Sequence, residues 1–351
     1  NWRIDMKKLG VVGHFGFGHD LLNGQTIKVK ILFQEFQKQL GTENTMAVDT
    51  HGGAKKVPAM IANTIKMFRQ CENCMVLPAY KGVLLFTPLF SVLNKIYHRK
   101  TYYIVVGGWL DSYLDKYKWL EKQLKNYTAI CVETTTMKKA LEKRGFQNIE
   151  LMKNCKALQK LSFEELPHSF TEPYALCTFS RVMKEKGIEN LINAIKEVNE
   201  KFGSVVFTLD IYGEVWKDYT HEFEELQKNF PEYIKYKGSV NYDESVETLK
   251  NYFALVFPTL FYTEGIPGTI IDAYASGLPV ISSKWESYDD VIEDNVTGIG
   301  YEFGSDDALV EVLENVQKNP QEVIAMKEAC LRKAEEFSPR SIVGGFIKKF
   351  F

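Results

Sequence analysis

Two carboxylates eight residues apart, Glu264 and Asp272, bracket a glycine- and proline-containing loop in YTEGIPGTIIDAYASGLPVI, residues 262–281. The apolar run FALVFPTL before it predicts a buried strand. Pro267 suits the first turn of a helix, and Gly277 with Pro279 beyond it suits the exit. The loop therefore follows a strand's carboxyl end and opens a helix. Unpaired N–H groups and the positive dipole end at such a place favour an anion, above all a phosphate. Gly265 and Gly268 let a ligand approach the backbone closely. Asp272 falls in about the second turn, where a carboxylate accepts two hydroxyl hydrogen bonds, as from a ribose diol. Glu264, ahead of the helix, reaches whatever lies beyond the phosphates. The same spacing also fits a capped helix with one acid at its start and one solvated acid.

A second pair is cationic. The strand YALCTFSR delivers Arg181 at its carboxyl end, and Lys186 follows in SRVMKEKG just before a predicted helix. Two cations at one strand end suit a diphosphate, Arg as a planar fork and Lys as a point charge. A basic loop between strand and helix is also ordinary exposed surface.

The elements that must position these residues alternate. KLGVVGHFG reads as a strand running into a glycine-rich turn, and IKVKILFQEFQKQL as the helix after it. NTMAVDT, CMVLPAY, GVLLFTP, TYYIVVGG, YTAICVET and IELMKN read as extended, with helices between several of them, among them IANTIKMFRQC and PLFSVLNKIYHRK. A polar stretch, KNCKALQKLSFEELPHSFTEP, breaks the pattern, which then restarts at YALCTFSR. With 351 residues, two cores are expected. The alternation predicts an α/β chain of two Rossmann-like, doubly wound parallel-sheet domains facing across a cleft. We place them at 6–160 and 161–337, with the last helix, 338–351, returning to the first. Ligands in such sheets bind beyond the carboxyl ends of the strands.

Composition narrows the function. Residues 1–170 carry 25 Lys and Arg against 14 Asp and Glu, and the remainder 18 against 31. A basic first half fits an anionic partner, such as a membrane surface, or merely two solvated faces of opposite sign. No nucleic-acid partner is expected. No apolar run reaches the length of a bilayer span, and no secretory leader is visible, so a cytoplasmic protein is expected. The six cysteines are scattered; Cys71 and Cys74 form one CxxC without a second ligand pair at suitable spacing, which favours ordinary thiols over zinc. GHFGFG is G-x-x-G-x-G and not the dinucleotide fingerprint, although Asp49 ends the second strand where a ribose-binding acid would stand. No Asp-x-Asp cluster marks a metal site, so no metal and no cofactor are expected.

SRVMKEKGIENLINAIKEV resembles the arginine–lysine–glycine loop of the family-4 retaining glycosyltransferases of the GT-B fold. YTEGIPGTIIDAYASGLPVI resembles their E-x7-E segment with the glycine–proline–valine strand behind it. LDIYGEV, YIKYKGSV and NVTGIGYEF follow in the order of their C-terminal domain, and GHFGFGHDLLNGQTIKVKILFQEF is similar to their first strand, glycine loop and helix. The resemblance implies a metal-independent hexosyltransferase that keeps the anomeric configuration of a nucleoside-diphosphate sugar, a UDP-sugar among others. It implies that Arg181 and Lys186 bind the donor diphosphate, Glu264 faces the transferred sugar, and Asp272 holds the ribose. Backbone around Gly268 and Thr269 would take phosphate or sugar oxygens, and Val240 would lie along the base. Gly24 would open the first helix near the phosphates, with Gly16 in the loop ahead of it. The acceptor expected is a saccharide, polyprenyl-diphosphate-linked, in capsule or exopolysaccharide assembly, which would put the protein on the inner face of the plasma membrane. Two departures stand out. Asp272 replaces the usual second glutamate, and Gly107 and Gly108 stand where many members have a histidine, leaving His14 and His19 on the first loop. A nucleotide-sugar epimerase and a non-catalytic nucleotide-sugar-binding partner of another transferase are the alternatives.

Overall fold

The structure, a computed structural model, describes residues 6–19, 24–78 and 80–351. The chain forms two compact units, Asn1–Ala157 with Ser338–Phe351, and Leu158–Phe337.

The first unit holds strands β1 (Lys7–Gly13), β2 (Thr45–Asp49), β3 (Cys71–Leu77), β4 (Lys100–Ile104), β5 (Ala129–Val132) and β6 (Ile149–Leu151). They pair in the order β2-β1-β3-β4-β5-β6, every pair parallel. Helices cover both faces, so the inner strands read as unbroken apolar runs; all four residues of β5 are buried. The terminal helix Pro339–Phe350 belongs to this unit. Its Phe346 ring lies 5.8 Å from Phe36 on the helix Gly24–Leu40 and 5.0 Å from Tyr102 on β4.

The second unit holds β7 (Tyr174–Phe179), β8 (Phe207–Tyr212), β9 (Ile234–Gly238), β10 (Ala254–Phe257), β11 (Val280–Ser283) and β12 (Gly298–Tyr301). Their order is β12-β11-β10-β7-β8-β9, again all parallel. In each sheet the chain winds one way from one strand and the other way from its neighbour: β1 and β3 in the first unit, β7 and β10 in the second. Loops leaving the carboxyl ends of such a strand pair diverge and leave a crevice between them.

Two expectations need correction. GVLLFTP is not extended; it starts the helix Val83–Tyr97. Its buried residues Val83, Phe86, Thr87, Phe90 and Leu93 fall at helical spacing, and Pro88 is accommodated inside. The all-apolar start and the proline hid a 3.6-residue period in a segment that alternation read as strand. The unit boundary lies at 157/158, three residues before the expected one, because Leu158 and Leu161 already pack with Leu166, Ala275 and Leu331 of the second unit.

Candidate functional site

The chain from β7 to the helix Ile188–Phe202 is held by two glycines. Gly213, after β8, has φ +134, and a Cβ there would lie 1.9 Å from the Ser180 carbonyl oxygen. Gly187 has φ +67, and its Cβ would lie 1.9 Å from the Pro258 carbonyl oxygen, just past β10. Only glycine permits both the left-handed backbone and the close approach. The turn carrying Lys184–Lys186 is thereby pressed against the end of β10, and Leu260 N–H donates to the Glu185 carbonyl at 2.8 Å.

This contact brings Lys186 to Glu264. Their ammonium and carboxylate form an ion pair, both side chains mostly buried. The Lys186 ammonium also stands 5.3 Å from the Phe257 ring centre. Thr259, fully buried, donates its hydroxyl to Glu264 at 3.4 Å and accepts the Phe261 N–H at 3.1 Å. Arg181, at the same strand end, is exposed; its guanidinium lies 4.8 Å over the ring of Trp216, itself 44% exposed.

Four residues after Glu264 the helix Gly268–Ala275 begins, with Pro267 as its N-cap. Pro267 precedes the first helical residue, one position earlier than expected. No side chain caps this end, so the first-turn N–H groups of Gly268 and Thr269 have no partner from the cap. The Thr269 hydroxyl is buried with no hydrogen-bond partner among the described residues. Such a group costs about 1–3 kcal/mol until a ligand or water satisfies it.

Asp272 lies in the second turn but is only 2% exposed. Its Oδ1 accepts the Ser245 hydroxyl at 2.9 Å, so part of its acceptor capacity is already used within the protein. Val240 is half-buried and packs against the apolar cluster under this helix. Gly265 lies in the loop between Glu264 and the helix.

Gly16 and Gly24 belong to the first unit. Gly16 has φ +59 and donates its N–H to Asp49 Oδ1 at 3.1 Å; Gly24 begins the helix Gly24–Leu40. The Asp49 carboxylate also takes the N–H groups of Phe15, Phe17 and His51 at 2.9–3.0 Å. Burial raises this carboxyl, and the four backbone donors more than offset that, leaving it below the usual carboxylate range. Asp49 therefore caps the glycine loop, which accounts for an acid at that strand end without a dinucleotide. His14 hydrogen-bonds Thr26 at 2.7 Å and His51 at 3.2 Å, and the His19 ring lies 4.7 Å from His51. Burial, then the neighbouring His51, lowers the His14 pKa against an opposing pull from Asp49.

The described residues include no cluster of three His, Cys, Asp or Glu side chains arranged for a metal. All six cysteines are free and buried; burial pushes Cys71 up to about 11 and Cys74 further. No described helix is long and apolar enough to cross a membrane. The sequence reading missed Gly187, Gly213, Trp216, Thr259 and Ser245. A glycine directly after Lys186 and another closing LDIYG were visible as signals; the partners of Thr259 and Ser245 were not.

Two doubly wound parallel sheets, with a cation–carboxylate pair at one crevice and an open helix start after it, define a protein of the Rossmann-like α/β class. Comparison with known proteins agrees. The family described as "Glycosyl transferases group 1" matches residues 159–335, half of the chain, and this chain belongs to that family. The amylovoran biosynthesis glycosyltransferase AmsK of Erwinia amylovora is 24% identical over 175 residues, 49% of this chain and 42% of AmsK. The chain thus matches about two fifths of the length of that relative. The Anabaena protein HepE, solved with UDP and glucose, superposes with a TM-score of 0.73 at 12% identity, covering 98% of this chain and 99% of HepE. The pneumococcal O-GlcNAc transferase GtfA, solved with UDP and GlcNAc, gives 0.63 at 18% identity over 83% of this chain and 59% of GtfA. The fold is GT-B.

Proposed function

We propose that this chain is a retaining glycosyltransferase that moves a sugar from a UDP-sugar to an acceptor hydroxyl. The observation that carries the reading is the Lys186–Glu264 pair, assembled from the two loops that diverge at the β7–β10 crevice. Family membership supports the reaction class, and the UDP bound to HepE supports the base. Arg181 and Lys186 hold the diphosphate. The N–H groups of Gly268 and Thr269, with the Thr269 hydroxyl, take oxygens of the donor, and Gly265 lets the donor approach the backbone closely. Glu264 faces the sugar, Asp272 holds the ribose, and Val240 lines the base. Gly16 and Gly24 shape the first unit's glycine loop.

As the bond from the anomeric carbon to the phosphate oxygen breaks, the leaving UDP gains negative charge. Fixed cations and a helix N-terminus bind that charge more tightly in the transition state than in the ground state, which is what accelerates the step. The acceptor oxygen bonds the anomeric carbon on the face the phosphate leaves, and its proton passes to the departing phosphate oxygen. Configuration is kept without a protein nucleophile.

The acceptor we favour is a lipid-linked saccharide in cell-surface polysaccharide assembly, as the name of AmsK and the basic first half of the chain suggest. The test is a panel of UDP-sugars followed for UDP release and thermal stabilisation, with Arg181→Ala and Glu264→Ala beside the wild type. Release of UDP from one donor, reduced at least 100-fold in Arg181→Ala, is expected. Near-normal release in that variant sinks the assignment. Isomerisation of a donor without acceptor points to an epimerase, and donor binding without turnover to a non-catalytic partner. Absence of binding to anionic vesicles at low salt removes the membrane-surface part.

A further inference from the structure

Along the carboxyl edge of the first unit's sheet, an aromatic cluster gathers after β3 and β4. Tyr113, 3% exposed, stands at its centre. Tyr80 packs against it with ring centres 4.4 Å apart at 72°, and Trp109 with centres 5.2 Å apart at 82°. Tyr80 and Trp109 face each other at 5.3 Å with planes 57° apart, so the two rings form an open angle.

The cluster is fixed by its polar tips. The Trp109 indole N–H donates to the Val106 carbonyl at 2.7 Å, and the Tyr113 hydroxyl to the Tyr80 carbonyl at 3.0 Å. Both donors are satisfied inside the protein, and Trp109 packs against the core beneath. The Tyr80 side is left open, 51% exposed. Gly107, at φ +86, precedes the indole; a Cβ there would meet Trp109 Cδ1 at 3.4 Å. Gly107 thus keeps a side chain away from the indole edge.

We propose that Tyr80 and Trp109 form the platform for a pyranose ring of the acceptor; its use as an acceptor site rests on the glycosyltransferase reading above. A pyranose presents an apolar face of C–H bonds and a rim of hydroxyls. Rigid aromatic planes match the face at little entropic cost, and the Trp109 donor is already tied down. Two rings at an angle suit one sugar and offer too little surface for an acyl chain. The rim meets polar groups, since Lys81 and Ser112 beside the rings are exposed. The cluster also follows β3, one of the two strands at which this sheet's winding reverses, where ligands of such sheets bind.

The test uses the full chain with Tyr80→Ala, Trp109→Ala and Trp109→Phe. Binding of chitotriose, cellotriose and maltotriose is read by saturation-transfer NMR, and acceptor-free UDP release from UDP-glucose and UDP-GlcNAc is read in parallel. At least one trisaccharide should bind. Both alanine variants should weaken it tenfold or more, and Trp109→Phe less than threefold, with acceptor-free UDP release within twofold of wild type throughout. Binding unchanged in both alanine variants overturns the proposal, as does failure of all three trisaccharides to bind. Trisaccharide binding that depends on Tyr80 and Trp109, in a wild type that releases no UDP, upholds the sugar platform and removes the transferase reading instead. Trp109→Ala loses the core contact that Trp109→Phe keeps, so thermal melts accompany the titrations, and weakened binding in an alanine variant that melts as wild type is not a folding defect.

Discussion

The ammonium of Lys186 and the carboxylate of Glu264, 78 residues apart in the chain, form one ion pair with 19% and 15% of their side chains exposed. Burial to this degree removes much of the solvent screening, so each charge depends on the other. In the proposed reaction a diphosphate arriving there would compete with Glu264 for the lysine and free the carboxylate for sugar hydroxyls. The pair is thus a resting arrangement that a donor would rearrange.

Lys186→Met should lower kcat/KM by about 100- to 1,000-fold, the loss expected when one fixed donor to a developing anion is removed. Glu264→Gln keeps the shape and removes the charge, and should lower kcat more than it raises the donor KM. Steady-state kinetics on the two variants and the double variant check this. Equal losses in stability and activity across the set would mean the pair is only structural.

Thr269→Val is close to isosteric and deletes a buried hydroxyl that has no hydrogen-bond partner among the described residues. Stability should hold or rise slightly, because no hydrogen bond is lost in the free protein. UDP affinity should fall about tenfold, the worth of one hydrogen bond near 1.4 kcal/mol. Calorimetric titration of UDP, with thermal melts alongside, separates the two effects. A destabilised variant with unchanged UDP affinity would refute the ligand role.

Gly187→Ala should destabilise the protein by about 2–4 kcal/mol, combining a left-handed backbone with overpacking against a carbonyl oxygen. The Pro258 carbonyl is main chain and has no rotamer to move aside. Urea unfolding gives the number; a midpoint within error of wild type would show that the contact relaxes freely.

Lys327 gives a pH signature. It is 1% exposed, its ammonium reaches the Tyr252 carbonyl at 3.1 Å, and burial pulls its pKa down to about 8. The unfolded chain keeps the ordinary value near ~10.4. Below about 8 both states carry the proton and the full cost of the buried charge is present. Between these values the unfolded chain binds more protons, so stability rises with pH. Relative to Lys327→Met, the wild type should gain on the order of 3 kcal/mol from pH 7 to pH 10.5. A flat difference between the two proteins over that range would contradict it.

Much of the site is legible in the sequence. β7 with its two cations, the strand FALVFPTL, the loop at Glu264 and the helix ending at Gly277 all announce themselves through short-range signals: an apolar run, a proline start, a glycine stop. These are local rules, set by φ and ψ preferences and by which backbone groups need partners. GVLLFTP escaped them, because a wholly apolar segment around a proline carries no readable period. Asp49 escaped too, since the four N–H donors that hold it come from the folding of one loop over another.

The sequence by itself determined the alternation of strands and helices, the two units and the chemical types at the crevice, since each rests on neighbours within a few residues. Only the tertiary structure decided that Lys186 meets Glu264, that Asp272 is buried and shared with Ser245, and that Tyr80 and Trp109 form one surface after two different strands. Those pairings depend on strand order. Strand order depends on how apolar faces far apart in the chain are buried together, and no local pattern encodes that.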